Sequence, residues 1–278
     1  MNKIVAVAAF AAMLASSAWA EDDTWAELQP QIFGDAIVSD AGGAITLDAP
    51  YRTMTDPRTT LGATITAPLG KTIETVTLII DENPMPVSAV FDLASPRRSF
   101  AFTAAMRMNG PSPVRVVAEL STGERIMQSA MVKTSGTGAC AAAPTTDPVV
   151  AMETLGQMDL VLGEQEGAIA TLASLSGKPA PAQSGLETGP MAELQMQHPS
   201  HSGMQMDQIT LLYIPARYVE TVEVSSGGQP LFSMTGSISL SENPAIGFDV
   251  PEGASAIDVR MTDTEGAVFE NSFPLVSG

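Results

Sequence analysis

The chain contains a single cysteine, Cys140, among its 278 residues, so it cannot form a disulfide bond within itself. A lone cysteine in an exported protein either pairs with another molecule or remains a reactive thiol. Only 2 histidines are present, and they lie close together, which leaves little material for a Ser-His-Asp triad. The sequence also shows no nucleophile elbow, phosphate-binding loop or dinucleotide fingerprint. These absences argue against an enzyme that carries its own catalytic centre.

Basic residues are scarce: 13 lysines and arginines stand against 31 aspartates and glutamates, for a net charge of −18. A polyanion is repelled by phosphate backbones and by anionic membrane surfaces, so neither nucleic acid nor a membrane is an expected partner. The acidic excess suits a soluble protein that meets basic patches on its partners through electrostatic steering. It is equally compatible with a role in solubility alone.

Residues 1–20 have the pattern of a secretory signal peptide. Lys3 supplies the positive start, an apolar run follows, and Ala18-Trp19-Ala20 has the small-x-small form of a cleavage site. The apolar run is too short to span a bilayer, which takes about 20 residues. We therefore expect cleavage after Ala20, a periplasmic location, and no membrane insertion of the mature protein.

Short β-type runs, separated by turn signals, occupy most of the mature chain. Such runs at about 8–12-residue spacing predict a β-sandwich or barrel. A short helix is predicted at 22–33, and helical spacing recurs at 148–158. The predicted strands are 45–47, 61–67, 73–80, 87–93, 99–104, 114–120 and 126–133 in a first block, and 192–196, 209–213, 219–224, 231–234, 237–240, 246–250, 257–261 and 268–274 in a second block.

The two strand blocks predict an all-β protein with two sandwich domains, in keeping with a usual domain size of about 100–200 residues. The first sandwich is assigned to residues 21–143 and the second to 185–278. Residues 144–184 are interpreted as a partly helical connector, flexible where glycine, serine, alanine and proline dominate.

Cys140 lies in a segment made only of small residues, among them Gly136, Gly138, Ala139 and Ala141. Glycine makes the backbone permissive, and alanine adds little bulk. We therefore expect a flexible segment that presents an exposed thiol, as a carrier needs. A hydrolase nucleophile would instead need a base held rigidly within hydrogen-bond reach. The alternative is a buried and inert cysteine, which is common in proteins.

Three stretches of the first block resemble the Y subunit of the SoxYZ thiosulfate-oxidation carrier. They are Asp-Glu-Asn-Pro-Met-Pro at 81–86, Val-Ala-Glu-Leu-Ser-Thr-Gly at 117–123 and Gly-Thr-Gly-Ala-Cys at 136–140. The second block is similar to the Z subunit in His-Pro-Ser-His-Ser-Gly at 198–203, Ile-Pro-Ala-Arg-Tyr-Val at 214–219 and Ser-Glu-Asn-Pro at 241–244. The ordered set resembles the fused SoxYZ-like carriers that are associated with quinoprotein dehydrogenases.

The resemblance implies immunoglobulin-like sandwich folds for both domains, which agrees with the strand prediction. It also implies that Cys140 bears a covalently bound sulfur species and that no other cofactor is needed. The protein would then be a carrier without turnover of its own. Its partners would be periplasmic proteins of a sulfur-oxidation or quinoprotein dehydrogenase system, which load, oxidise and release the cargo.

Two other functions remain open from the sequence. The segment 191–207 holds both histidines and four methionines, and thioether and imidazole ligands suit Cu(I). The copper ligands would be Met196, His198, His201, Met204 and Met206, although core packing around a structural turn explains the same residues. In the third hypothesis the protein is an accessory partner of a quinoprotein dehydrogenase, with Cys140 serving only for redox pairing.

Overall fold

The computed structural model of the chain describes residues 24–136, 138–163 and 190–275. The predicted signal peptide and most of the predicted flexible linker lie outside these ranges. Within them, no helix is both long enough and apolar enough to cross a membrane.

Strands dominate the described residues, and the helices are short. The elements of the first half are α1 (Thr24–Phe33), β1 (Val38–Asp40), β2 (Ile45–Asp48), β3 (Thr59–Thr66), β4 (Ile73–Ile80), β5 (Val87–Arg97), β6 (Ser99–Met106), β7 (Ser112–Leu120), β8 (Arg125–Val132), a 3-10 turn (Ala139–Ala141) and α2 (Pro148–Glu153). Those of the second half are β9 (Met158–Gly163), β10 (Met191–Met196), β11 (Val219–Ser226), β12 (Gln229–Gly236), β13 (Ala245–Asp249), β14 (Ala256–Asp263) and β15 (Val268–Pro274).

The strands form two sheets, and each sheet runs through both halves of the chain. The larger has nine strands in the order β1-β8-β7-β4-β5-β12-β11-β14-β15, and the smaller has six in the order β2-β3-β6-β13-β10-β9. Their buried faces contribute to a single hydrophobic core cluster. The all-β, immunoglobulin-like sandwich class predicted from the sequence is confirmed.

The two halves are joined by backbone pairing in both sheets. In the larger sheet β5 pairs antiparallel with β12, with Met234 opposite Phe91. In the smaller sheet β6 pairs antiparallel with β13, with Phe248 opposite Phe102. The halves thus lie side by side as one continuous double layer. The sequence predicted two sandwiches and did not show that they share their sheets.

Phenylalanine is concentrated at this seam, although aromatic residues make up only 5% of the sequence. The Phe91 and Phe102 ring centroids are 4.6 Å apart, which brings the two sheets into contact face to face. Phe232 lies 5.9 Å from Phe91 and 5.1 Å from Phe248, so rings from both halves interlock. Tilted and edge-on ring pairs at such distances add to the free energy gained by burial.

Several sequence predictions differ from the structure in the second half. The predicted strand at 209–213 is a loop with one bridge between Met206 and Tyr213, and residues 237–240 form a turn. The predicted connector contains β9, which pairs with β10 in the smaller sheet, after the helix α2. The apolar run at 209–213 misled the prediction because its side chains face outward rather than into a core. Gly227 and Gly228 form the hairpin turn between β11 and β12.

The strand registers define two ends of the double layer. Thr59 pairs with Met106, and Met196 pairs with Met158, so these residues mark one end, which we call the cysteine end. The other end is marked by the pairing of Thr66 with Ser99 and of Met191 with Gly163.

Candidate functional site around Cys140

Cys140 lies at the cysteine end, in the 3-10 turn Ala139–Ala141, between the two halves of the chain. Its exposed fraction is 0%, and that of Ala139 is also 0%. Gly138, at the start of the turn, has a positive φ of 71°. Such a backbone conformation favours glycine, so the small residues of the segment permit a tight turn as well as motion.

Two side chains of the second half hold the backbone of the turn. The Ser202 hydroxyl donates to the Cys140 carbonyl oxygen. The Gln205 side-chain amide donates to the Ala142 carbonyl oxygen at 2.9 Å. Its oxygen in turn accepts from the Ser202 backbone N–H at 3.2 Å. The two residues therefore form one clasp over the cysteine segment.

Both flanks of the segment are also held by carboxylates. Asp56 accepts from the Ser135 backbone N–H at 3.0 Å. Glu242 accepts from the backbone N–H groups of Thr145 and Thr146 at 2.9 and 2.8 Å. Burial alone would raise the pKa of Glu242, but the hydrogen bonds from Thr146 and Thr145 outweigh it and hold that pKa below its usual value. Glu242 thus remains a charged anchor.

Arg107 is the cation whose charge acts on the cysteine, and it is almost completely buried, with an exposed fraction of 2%. Its guanidinium donates to the Leu240 carbonyl oxygen, across the seam between the halves. Burial lowers the pKa of Arg107, and the negative charges of a Cys140 thiolate and of Glu242 oppose that shift. The arginine therefore places positive charge beside the sulfur.

Burial nevertheless dominates the acidity of the thiol. It raises the pKa of Cys140 to about 11, and the charge of Arg107 lowers it only in part. Because the thiolate is the nucleophilic form, the seated cysteine is protonated and unreactive at neutral pH.

His198 lies behind the clasp, 1% exposed, and is neutral in this setting. Burial lowers its pKa to about 4, against the opposing effect of Asp263. Its Nδ1 accepts from the Ser200 backbone N–H at 2.9 Å, and its Nε2 lies 3.5 Å from an Asp263 oxygen. Arg217 also binds Asp263, at 2.8 Å. The cluster of His198, Asp263 and Arg217 supports the loop that carries Ser202 and Gln205.

The residues proposed as copper ligands have different structural roles. Met196 has an exposed fraction of 0% and belongs to the hydrophobic core. His198 Nδ1 is occupied by the Ser200 N–H, and His201 Nδ1 lies 3.2 Å from the Gln205 side-chain oxygen. Among the described residues, no group of three or more His, Cys, Asp and Glu side chains is arranged to hold a metal ion. The packing interpretation accounts for Met196 and His198, which are buried, whereas Met206 is 36% exposed and Met204 is partly exposed, and both lie outside the hydrophobic core.

The expectation that Cys140 is exposed is wrong for this structure. The lack of bulky neighbours was taken to prevent burial, but small residues instead let the segment fit closely against the second half. The clasp comes from residues more than sixty positions further along the chain, which no local pattern could show. Gly136, Gly138, Ala139 and Ala141 form the docked segment, and their flexibility stays a prediction.

Sequence reasoning missed Arg107, Ser202, Gln205 and Glu242 as parts of one site. Arg107 had a signal, since it is the one charge between Ser99 and Gly110 in a largely apolar stretch. Ser202 and Glu242 lie in motifs of the second block, and Gln205 lies in the segment 191–207, but the sequence did not reveal that these residues meet. The Asn243 side chain accepts from the His198 N–H at 3.0 Å, and the Arg217 N–H bonds the His201 carbonyl, so the three motifs converge.

Comparison with known proteins assigns both halves. Residues 29–140 match the family model described as "Sulfur oxidation protein SoxY", and residues 183–274 match "Sulphur oxidation protein SoxZ". Cys140 is the last residue of the SoxY match. The two matches, the sandwich fold and the shared sheets define a sulfur-oxidation protein of the SoxY and SoxZ families.

The chain is a fused SoxYZ-like protein, with both domains in one polypeptide. Among solved structures, it is similar to the sulfur carrier protein SoxY from Chlorobium limicola f thiosulfatophilum, at 18% identity and a TM-score of 0.32. That similarity covers 40% of this chain and 96% of the other.

Two superoxide reductase (neelaredoxin) structures from Ignicoccus hospitalis are 10% and 12% identical to this chain. Each similarity covers 33% of this chain and 80% of the other, with TM-scores of 0.27 and 0.25. These likenesses are too low to bear on function. A search of curated proteins gives no match.

Proposed function

We propose that this protein is an exported, periplasmic carrier that binds a sulfur-containing intermediate covalently at Cys140 and presents it to partner enzymes. The observation that supports this most directly is the position of the chain's single cysteine. It ends the SoxY match and lies in a segment that the SoxZ-like half holds through a few side-chain hydrogen bonds. The signal-peptide pattern of residues 1–20 supports export.

The carrier has two states in this proposal. In the docked state seen here, the thiol is buried and protonated. In the open state the hydrogen bonds from Ser202 and Gln205 break, the segment leaves its seat, and the thiol recovers an ordinary pKa. Each neutral hydrogen bond contributes only about 0.5–1.5 kcal/mol, so the open state is accessible without unfolding the sandwich.

Loading forms a sulfur–sulfur bond at Cys140. With thiosulfate, the thiol and the outer sulfur of thiosulfate join to give a cysteine S-thiosulfonate, and one proton and two electrons leave. The electrons pass to a redox-active partner enzyme, since the carrier has no oxidant of its own. Tetrathionate needs no oxidant, because the thiolate attacks an inner sulfur and releases thiosulfate as the leaving group, as in disulfide exchange.

Turnover belongs to the partners in this proposal. They are periplasmic proteins of a sulfur-oxidation or quinoprotein dehydrogenase system, and they approach the open segment rather than the docked one. The acidic surface of the carrier suits partners with basic faces.

Mass spectrometry of the protein isolated from the periplasm of its own cells tests the proposal. We expect a sulfur adduct on Cys140 and none on the Cys140→Ser variant. In vitro, tetrathionate should add one thiosulfonate group to the wild type and none to Cys140→Ser. Full activity of Cys140→Ser cells in sulfur oxidation, together with an unmodified Cys140 in the wild type, would contradict the assignment.

A further inference from the structure

A loop next to the clasp displays large apolar side chains to solvent. We define it as residues 206–213 and call it the apolar loop. Four of its side chains have high exposed fractions, namely Ile209 at 93%, Leu211 at 68%, Leu212 at 67% and Tyr213 at 68%. A contiguous exposed apolar patch on a soluble protein indicates an interaction site.

The conformation of the apolar loop is fixed by hydrogen bonds. Asp207 accepts from the backbone N–H groups of Ile209 and Thr210 at 3.0 and 2.6 Å, and the Asp207 N–H bonds the Leu212 carbonyl at 2.9 Å. Leu211 has a φ of 58°, which a non-glycine residue adopts only at a cost. The loop therefore holds its apolar side chains outward in a defined arrangement.

The apolar loop is continuous with the clasp. The Ile214 backbone N–H closes the loop on the Gln205 carbonyl at 2.8 Å, and the Gln205 side chain holds the cysteine segment. The helix α2, which follows that segment, also exposes apolar side chains, with Val149 at 65% and Met152 at 57%. The Met152 sulfur lies 3.9 Å from an Arg217 nitrogen, which places α2 against the same part of the second half.

The charges of this region indicate the kind of partner. Between Lys133 and Arg217 the sequence has only one lysine or arginine, Lys178. The described part of that stretch carries the carboxylates Asp147, Glu153, Asp159, Glu193 and Asp207. Arg217 is already paired with Asp263 and Glu265, and Arg58 of the first half donates to the Glu242 and Asn243 carbonyl oxygens. An apolar patch bordered in this way by acidic residues is complementary to an apolar depression rimmed by lysine or arginine.

We propose that the apolar loop is the docking surface for a partner protein that presents an apolar depression with a basic rim. This inference rests on the proposed carrier function, because the loop places such a partner beside Cys140. A partner bound to the apolar loop contacts the same short stretch of chain whose Ser202 and Gln205 hold the docked cysteine. The docking site of the partner and the point of access to the Cys140 sulfur are therefore adjacent in space.

Another conceivable occupant is the chain's own segment 164–189. The residues Gly163 and Met191, on either side of it, pair with each other at the end of the double layer opposite the cysteine end, so the segment would have to run the length of the layer and back to cover the loop. Net repulsion between an acidic protein and anionic lipid also disfavours a membrane surface as the occupant. Both occupants are kept as outcomes of the experiment.

The test compares two double variants of the full chain. Ile209→Ser with Leu212→Ser removes the apolar loop's side chains. Ile37→Ser with Leu69→Ser is the matched control, since these residues are 80% and 88% exposed and adjoin strand ends at the opposite end of the molecule. The first readout is the fraction of Cys140 that carries a sulfur adduct in cells, and the second is loading by tetrathionate in vitro.

In cells, we expect the fraction of Cys140 that carries an adduct to be at least about tenfold lower in the loop variant than in the wild type. Truncation of central apolar contacts weakens other interfaces by a comparable factor. The variant's loading by tetrathionate should match the wild type, and the control should match in both readouts. An unchanged adduct level in the loop variant overturns the docking inference and leaves the carrier function standing. If the wild type carries no adduct in either readout, both the docking inference and the carrier function are contradicted.

Photo-crosslinking in cells from benzoylphenylalanine placed at Tyr213 identifies the occupant. A crosslink to apolar residues next to lysine or arginine in another protein is the expected result. A crosslink to residues 164–189, or to a second copy of the chain, overturns the inference. Co-flotation of the wild type, but not of the loop variant, with phosphatidylcholine vesicles would overturn it in favour of a lipid surface.

Discussion

The clasp makes a quantitative prediction for the reactivity of Cys140. The perturbation is Gln205→Ala, which removes the one Gln205 hydrogen bond to the cysteine segment, at the Ala142 carbonyl oxygen, and also the bond from the Ser202 N–H, which lies within the loop and is the same in the docked and open states. The matched control is Gln208→Ala, because the Gln208 side chain bonds only within its own loop, at the Met206 carbonyl, and is exposed. Alkylation of Cys140 by iodoacetamide near neutral pH measures access to the thiol.

The magnitude follows from burial and from the pKa. A rise in pKa from 9.0 to about 11 lowers the thiolate fraction at neutral pH about 100-fold. With an exposed fraction of 0%, the docked thiol is also out of reach of the reagent. Alkylation therefore proceeds through the open state, and its rate is proportional to the open fraction. Loss of one hydrogen bond of about 1 kcal/mol raises that fraction roughly fivefold.

Intact-mass spectrometry over time gives the rates, and the same protein in concentrated urea gives the rate of the accessible thiol. The wild type should react more slowly than the urea reference by the factor of its open fraction, because docked molecules carry the raised pKa and supply about 100-fold less thiolate. Gln205→Ala should react roughly fivefold faster than the wild type, and Gln208→Ala at the wild-type rate. A wild type that reacts as fast as in urea, or equal rates for the two variants, would refute the reasoning.

Three further predictions concern stability. The pKa of Cys140 is higher in the folded than in the unfolded protein. The contribution of the thiol to the free energy of unfolding is therefore present below pH 9.0 and is lost as the pH rises to about 11. Urea unfolding should show a loss of up to about 3 kcal/mol over that window relative to Cys140→Ala, limited by the free energy of docking because the segment can undock, and parallel curves would contradict the shift. His198 has a pKa of about 4 in the folded protein, below its usual 6.5. Its contribution to the free energy of unfolding is therefore present above pH 6.5 and is lost as the pH falls to about 4. Unfolding of the wild type against His198→Gln should show about 3 kcal/mol of this acid sensitivity, and equal sensitivity in both would exclude a buried neutral ring. Gly247→Ala should lower the free energy of unfolding by about 1–3 kcal/mol, because its Cβ would lie 2.3 Å from the Thr103 hydroxyl oxygen across the seam, and an unchanged thermal midpoint would argue against that close approach.

The strand content was predictable because alternation and turn residues act locally. The strands at 73–80 and 268–274 were predicted with the bounds that the structure shows. Gly227-Gly228 was predictable as a two-residue hairpin for the same reason. The short β1 was missed because three residues carry too little pattern, and β9 because it lies in the predicted connector.

The joining of the sheets could not be predicted from the sequence. Edge pairing between β5 and β12 uses backbone groups, which every residue has, so no side-chain pattern marks it. The phenylalanines of the seam look like ordinary core residues until their ring distances are known.

The candidate site was predicted only in part. Cys140 was assigned from its uniqueness, from its small neighbours and from the resemblance to the SoxY family, and its role as the attachment point stays a prediction. Its burial was not predicted, because it depends on Ser202 and Gln205, which follow more than sixty residues later. The apolar run at 209–213 was noticed as a strand, whereas its exposure shows that it faces outward.

The continuous double layer has a consequence for how the two halves stay together. When two such halves are separate chains, dilution pulls them apart by mass action, and an imbalance in synthesis leaves one without its mate. Each would then expose the edges of β5 and β6, or of β12 and β13, to self-pairing. A covalent link fixes the ratio at one to one and keeps these edges covered at any concentration, so that a cysteine donated by one half always finds its seat in the other.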